Sequence, residues 1–183
     1  MNPENIPYNM SFSFCNNLRE TAIDENEMIN GVNYLLDCLE KTKDPFHQAH
    51  LKSHIGVYQR ILGHLDQSLE NLESALHYFE KTEDDLKILV TKIRLAHTYQ
   101  WLKSFQKADE LLSSALELSQ SNIRFQSHID FVLQHYGKLR FEQGLYQQAK
   151  EFFEKALYLR KNKNIDELTK STEFALKIVT EYT

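Results

Sequence analysis

The sequence predicts an all-α protein, built as a stack of antiparallel helix pairs. Three observations carry that expectation. Only 5 Gly and 3 Pro interrupt 183 residues, a scarcity of chain breakers that favours long helices over a many-turned β-protein. Apolar residues recur at helical spacing along most of the chain. And a registered pattern of small and large residues returns three times, its Ala–Leu pairs at Ala75–Leu76, Ala115–Leu116 and Ala156–Leu157 lying 40 and 41 residues apart.

Taken in order, residues 1–22 are weakly patterned and read as an arm with little order of its own, followed by one helical domain over 23–183. A helix near 25–42 starts at Asp24, with Glu27 three residues on as a capping box. It places Gly31, Leu35, Cys38 and Leu39 on one stripe, so Cys38 reads as a small buried apolar residue. A helix near 45–62 starts at Asp44 with Pro45 in the first turn, where a missing N–H costs nothing. Gly63 ends it in the manner of a left-handed cap, and a helix near 65–81 follows. Thr82 with Asp85 marks the start of 84–102, and Ser104 that of 105–119. Helices near 122–143 and 145–162 are divided by Gly144, and Asn164 is read as the cap of the last, 165–181. No strand is expected. Turns of two to five residues make neighbouring helices antiparallel.

The repeated unit has a physical reason. In "GHLDQSLENLESALHYF", "KSFQKADELLSSALEL" and "GLYQQAKEFFEKALYL", a bulky residue (Leu65, Phe105, Tyr146) precedes a small one (Ser68, Ala108, Ala149), then a large apolar one (Leu72, Leu112, Phe153). The preceding helix of each pair carries its own small residue midway, at Gly56, Ala96 and Gly137. A small side chain lets two backbones approach at a crossing while bulky neighbours fill the grooves. One pair buries too little alone, so copies stack.

Over roughly residues 46–160 this pattern resembles the tetratricopeptide repeat, whose usual period is 34 residues. The core repeats are then about 46–82, 84–120 and 122–162, with 165–181 as a capping helix. The chain departs in its longer period and in lacking a proline at each repeat's end. Long repeats of this kind are similar to those of bacterial peptide-sensing regulators and their phosphatase relatives. The resemblance implies a right-handed superhelical α-solenoid, with a concave groove lined by the first helix of each pair.

By register, the candidate protein- or peptide-binding residues are His50, His54 and Arg60, then Arg94, His97 and Trp101, then Gln134, His135, Lys138 and Phe141. Cationic and aromatic side chains dominate this face although the net charge is −5. A cationic groove on an acidic body suits an acidic or carboxylate-ended peptide. The clamp by which chaperone-binding relatives hold a C-terminal carboxylate is not reproduced: its places fall on Ser53, Val57, Arg94, Phe131 and His135. Only Arg94 keeps the chemistry.

Other classes are disfavoured. Mixed charge argues against general nucleic-acid binding. No apolar run approaches the roughly 18–20 residues that span a bilayer, and the first residues do not read as a secretory signal. The expected setting is the cytoplasm. His47, His50 and His54 share a helical face but have no visible catalytic companion, so they read as surface or groove histidines, with no metal. No cofactor and no enzyme activity are expected. The leading function is a protein- or peptide-binding scaffold. Its alternatives are a peptide-sensing regulatory domain and, more remotely, a small metal-dependent or hydrolytic helical enzyme. The partner is an unnamed protein or short peptide, and an apolar end near Leu176 and Ile178 leaves room for a homodimer.

Overall fold

A computed structural model describes residues 5–183. Eight helices follow one another: α1 (Glu25–Lys41), α2 (Pro45–Ile61), α3 (Leu65–Lys81), α4 (Asp85–Trp101), α5 (Phe105–Ser121), α6 (Ile129–Glu142), α7 (Tyr146–Lys163) and α8 (Asp166–Thr180). They pack as successive antiparallel pairs, α2 on α3, α4 on α5 and α6 on α7, each pair then stacking on the next. The first helices also touch across the stack, α2 with α4 and α4 with α6. This is the helical solenoid that the repeat pattern predicts.

The crossings are as close as the small residues imply. Ala75, Ala108, Ala115, Ala149 and Ala156 are all fully buried. A Cβ at Gly137 would meet the Phe153 ring at 2.5 to 2.8 Å, and one at Gly56 would meet Leu72 Cγ at 2.6 Å. The large residue of one helix therefore occupies the space that glycine leaves on its partner. Ser68 does more than stay small: its hydroxyl donates to the Gly56 carbonyl oxygen at 2.7 Å across the α2–α3 crossing.

Several ends are capped as read. Asp24 accepts from Glu27 N, and Asp44 accepts from His47 N at 3.2 Å. Gly63 and Gly144 take positive φ, 81° and 74°. Three details differ. Asp84, not Thr82, caps α4, through Lys87 N. Asn164 closes α7 in the left-handed region instead of opening α8. The helix expected from 122 begins as a 3₁₀ turn, Ile123–His128, before α6 proper. Cys38 is half-buried against the Val32, Leu35 and Ile55 cluster.

The expectation of no strand is corrected. β1 (Phe12–Phe14) and β2 (Glu20–Ala22) form an antiparallel hairpin, with Phe12 opposite Ala22 and Phe14 opposite Glu20. "SFSF" alternates with the period of a strand, and Asn16–Asn17 supply the turn. Ile6 and Met10 pack on the α1–α2 cluster, and the Glu27 side chain accepts from Asn9 N at 3.1 Å, so its carboxylate holds the segment before the hairpin. Residues 1–4 of the expected arm lie outside the described residues.

Candidate functional site

The first helices α2, α4 and α6 bring the predicted residues together in rows across one wall. Two rows matter. His54, Arg94 and His135 are equivalent positions of successive repeats, and Val57, His97 and Lys138 form the next row one turn on. Sequence reading pictures both as open. In the structure the hairpin lies over the second row, and Arg60, His97, Trp101, Gln134, Lys138 and Phe141 are buried. His50, His54, Arg94 and His135 are half-buried.

Glu20 of β2 is the centre of the covered part. It is 6% exposed, beside Lys138 and Arg60 at 3% and 4%. Lys138 Nζ donates to its Oε1 at 3.1 Å, and Arg60 Nη2 stands 3.6 Å from Oε2. Burial works to raise the Glu20 carboxyl, but Lys138 and Arg60 outweigh it and hold the group below its ordinary range. Burial pulls Lys138 down, and Glu20 works against that. His97 Nε2 lies 3.5 Å from Glu20 Oε2, a separation that would suit an ion pair. Yet burial, followed by Arg60 and Lys138, holds the imidazole well below its usual pKa. The ring is neutral, so the ionic contacts of Glu20 are those with Lys138 and Arg60.

The residues on either side are equally engaged. Arg19 Nε and Nη2 donate to the two oxygens of Glu142 at 2.9 and 2.7 Å, a bidentate pair. Its guanidinium covers the Trp101 ring at 4.9 Å, with Arg60 also near that ring at 5.5 Å. Leu18, at the hairpin tip, is 2% exposed among Phe141, Phe153, Ala175, Ile178 and Val179. Lys138 Nζ sits 4.3 Å from the Phe14 ring centroid. Trp101 is 9% exposed, covered by the chain's own arginine.

The first row stays uncovered by any acid. Arg94 Nη1 donates to Ser53 Oγ at 2.8 Å, and among the described residues Arg94 makes no ion pair. Burial lowers its pKa to about 10, which still leaves it charged at neutral pH. The rings of His50 and His54 meet edge to face at 4.9 Å. Burial, then neighbouring cations, lowers His50 to about 4 and His54 to about 3. His47 is turned to Asp44 by a hydrogen bond through Nδ1. A cleft of about 380 Å³ remains beside β1, between Phe12, Phe14, Phe131, His135 and Arg160. A larger hollow, about 830 Å³, lies elsewhere, among Glu80, Glu83, Asp85, Lys92 and Glu117. It contains none of the groove residues, and its acids make it a poor match for an acidic segment.

Sequence reasoning missed Leu18, Arg19 and Glu20. The alternating "SFSF" and the paired asparagines are the signals that mark a hairpin there. Nothing in the spacing says where that hairpin docks.

A tetratricopeptide-repeat family model matches residues 132–163, which span most of α6 and α7. No curated protein matches the sequence. Among solved structures, the crystal structure of BtubC (BKLC) from P. vanneervenii is similar, with a TM-score of 0.68 at 20% identity over 86% of this chain and 67% of that one. The family match places one tetratricopeptide repeat at residues 132–163, and the structural likeness is one of fold. Among the described residues, no helix is long and apolar enough to cross a membrane.

Proposed function

We propose that the chain is a protein- or peptide-binding scaffold whose concave groove takes an extended segment that presents a carboxylate. Repeats of this type generally mediate protein–protein interaction, and the fold is typically a non-enzymatic scaffold. One observation carries the finer reading: the groove already holds an extended segment, the chain's own, with the carboxylate of Glu20 between Lys138 and Arg60. The groove's chemistry is therefore that of a carboxylate receptor. Its uncovered row supplies a further cation, Arg94, with His50 and His54 beside it. An acidic side chain of a partner placed there would gain a charge-assisted pair that the protein itself does not provide. The cytoplasmic setting expected from the sequence belongs to this reading.

The test is affinity capture with the full chain as bait, followed by calorimetry on the partner recovered. Arg94→Ala is expected to leave the fold intact and to weaken binding by roughly 1–3 kcal/mol. Added salt is expected to weaken it as well, since exposed charge attraction is screened. A partner that binds Arg94→Ala and wild type equally, with no salt dependence, overturns the groove assignment. The alternative of a peptide-sensing domain rests on the same groove, and recovery of a short peptide instead of a folded protein would favour it.

A further inference from the structure

We propose that the hairpin is a tethered stand-in for the partner's segment, and that the foreign segment presents an aliphatic, then a basic, then an acidic residue, in the order of Leu18–Arg19–Glu20. This rests on the scaffold reading above and gives it a partner chemistry. Three consecutive residues meet three separate receptors. Leu18 enters an apolar pocket formed by α6, α7 and α8. Arg19 lies over Trp101 and pairs with Glu142. Glu20 pairs with Lys138 and Arg60. Such a set of receptors reads an extended segment by its side chains.

Three further features say that the hairpin is replaceable. The backbone hydrogen bonds of its turn and base are internal: Leu18 N to Cys15 O, Cys15 N to Arg19 O and Ile23 N to Ser11 O. Those that join it to the groove come from side chains, namely Arg19 with Glu142 and the Trp101 carbonyl, and Glu20 with Lys138. It can therefore leave without opening a helix. Second, its fit is imperfect. Leu18 is held at φ 61°, a left-handed conformation that penalises a residue with a side chain. A segment that passes through the groove without the tight turn avoids that penalty. Third, the wall beneath it keeps buried polar atoms without a hydrogen-bond partner among the described residues: both ring nitrogens of His97, Trp101 Nε1 and Gln134 Oε1. Buried polar groups ordinarily find partners, and an incoming backbone carries both the donors and the acceptors these atoms lack.

The experiment has two arms on the full chain. Native-state hydrogen exchange on the wild type reads whether the hairpin opens by itself. Amides of Cys15 and Leu18 are expected to be at least tenfold less protected than those in the middle of α4. Equal protection, with exchange only through global unfolding, overturns the proposal. The second arm uses a labelled, end-blocked peptide of residues 11–23 as the probe. A Leu18→Ser/Glu20→Gln chain, its own hairpin weakened, is expected to bind that peptide at least tenfold more tightly than wild type, and a probe carrying Glu20→Gln is expected to lose that gain. Equal affinity for both chains, or for both probes, overturns it. If the double variant loses helical circular dichroism, the exchange arm decides alone. A concentration-dependent dimer abolished by Glu20→Gln would assign the groove to a second copy and overturn the foreign-segment reading. A captured partner that is sensitive to Arg94 but leaves the hairpin amides unchanged would retain the scaffold function and refute only the displacement.

Discussion

Glu20→Gln isolates the charge that the groove receives. The change keeps the size of the side chain and an oxygen that accepts from Lys138 Nζ, now at 3.1 Å. What disappears is the negative charge beside two cations that are nearly inaccessible, Lys138 and Arg60. Removing one member of a buried ion pair typically costs about 3–5 kcal/mol, because the other charge is left uncompensated. The retained hydrogen bond places the expected loss near the lower end, about 3 kcal/mol, a large share of the roughly 5–15 kcal/mol that holds a domain folded. Burial already lowers Lys138, and Glu20 is what opposes it. Without Glu20 the lysine therefore deprotonates more readily in the folded state than in the unfolded one. The unfolded chain then binds more protons, and stability rises with pH. The deficit of Glu20→Gln should accordingly shrink as pH rises toward the ordinary lysine pKa of about 10.4. In the wild type the sign for Glu20 itself is opposite in cause. Its folded pKa is depressed, so its contribution is present above the unfolded value of about 4.3 and is lost as pH falls through the folded one. The assay is urea unfolding followed by far-ultraviolet circular dichroism and by the fluorescence of Trp101, the single tryptophan. Glu20→Gln/Lys138→Met should cost less than the sum of its single changes, since the pair is coupled. A loss below about 0.5 kcal/mol, or one that does not shrink as pH rises, would refute the claim that Glu20 neutralises the groove.

Ala156→Leu forces a larger side chain into a fully buried crossing and should cost roughly 1–3 kcal/mol in thermal or denaturant unfolding; an unchanged melt would show that the repeat register is wrong. Lys103 holds φ 59° at the turn position that Gly63 and Gly144 occupy in the other repeats, so Lys103→Gly should stabilise by about 0.5–1 kcal/mol, and a lower melting temperature would count against the strain argument. His50, His54, His97 and His135 are all held neutral by burial first and by nearby cations second. Unfolding below the unfolded histidine pKa of about 6.5 therefore takes up protons, and stability should fall as pH drops from 7 toward 5. His97→Gln should lower that proton uptake, measured from the slope of unfolding free energy against pH.

The helical stack is legible because its cause is local and recurrent. A helix crossing demands small residues at set intervals, and three copies make Gly56, Ala96 and Gly137 stand out against their neighbours. Asp24 and Asp44 are legible as caps because the capping bond spans only three residues. Asn164 misleads for a local reason too: the same residue type serves as an N-cap or as a left-handed terminator, and the sequence around it permits both. The hairpin is different. Its strands have three residues each, too few for a period-two pattern to outweigh the helical signal that follows.

The groove's charge shows most clearly where sequence reading stops. The cations are visible from sequence because they sit on repeated helices, at positions that return with the repeat. Their counter-charge is not, because Glu20 lies outside the repeat and meets Lys138 across 118 residues of chain. Periodicity marks a row of cations but says nothing about what already faces it. The structure separates the two rows on that basis. At the row of His97 and Lys138, one carboxylate of the chain compensates Lys138 and the neighbouring Arg60. In the row of His54 and Arg94, no described acid does so. A buried or half-buried cation without a counter-charge is where an incoming carboxylate gains most, because the protein has already borne the desolvation of its own side. For the proposed partner this sets an order of two steps: Arg94 would be met while the hairpin is in place, and Lys138 and Arg60 only after Glu20 has left.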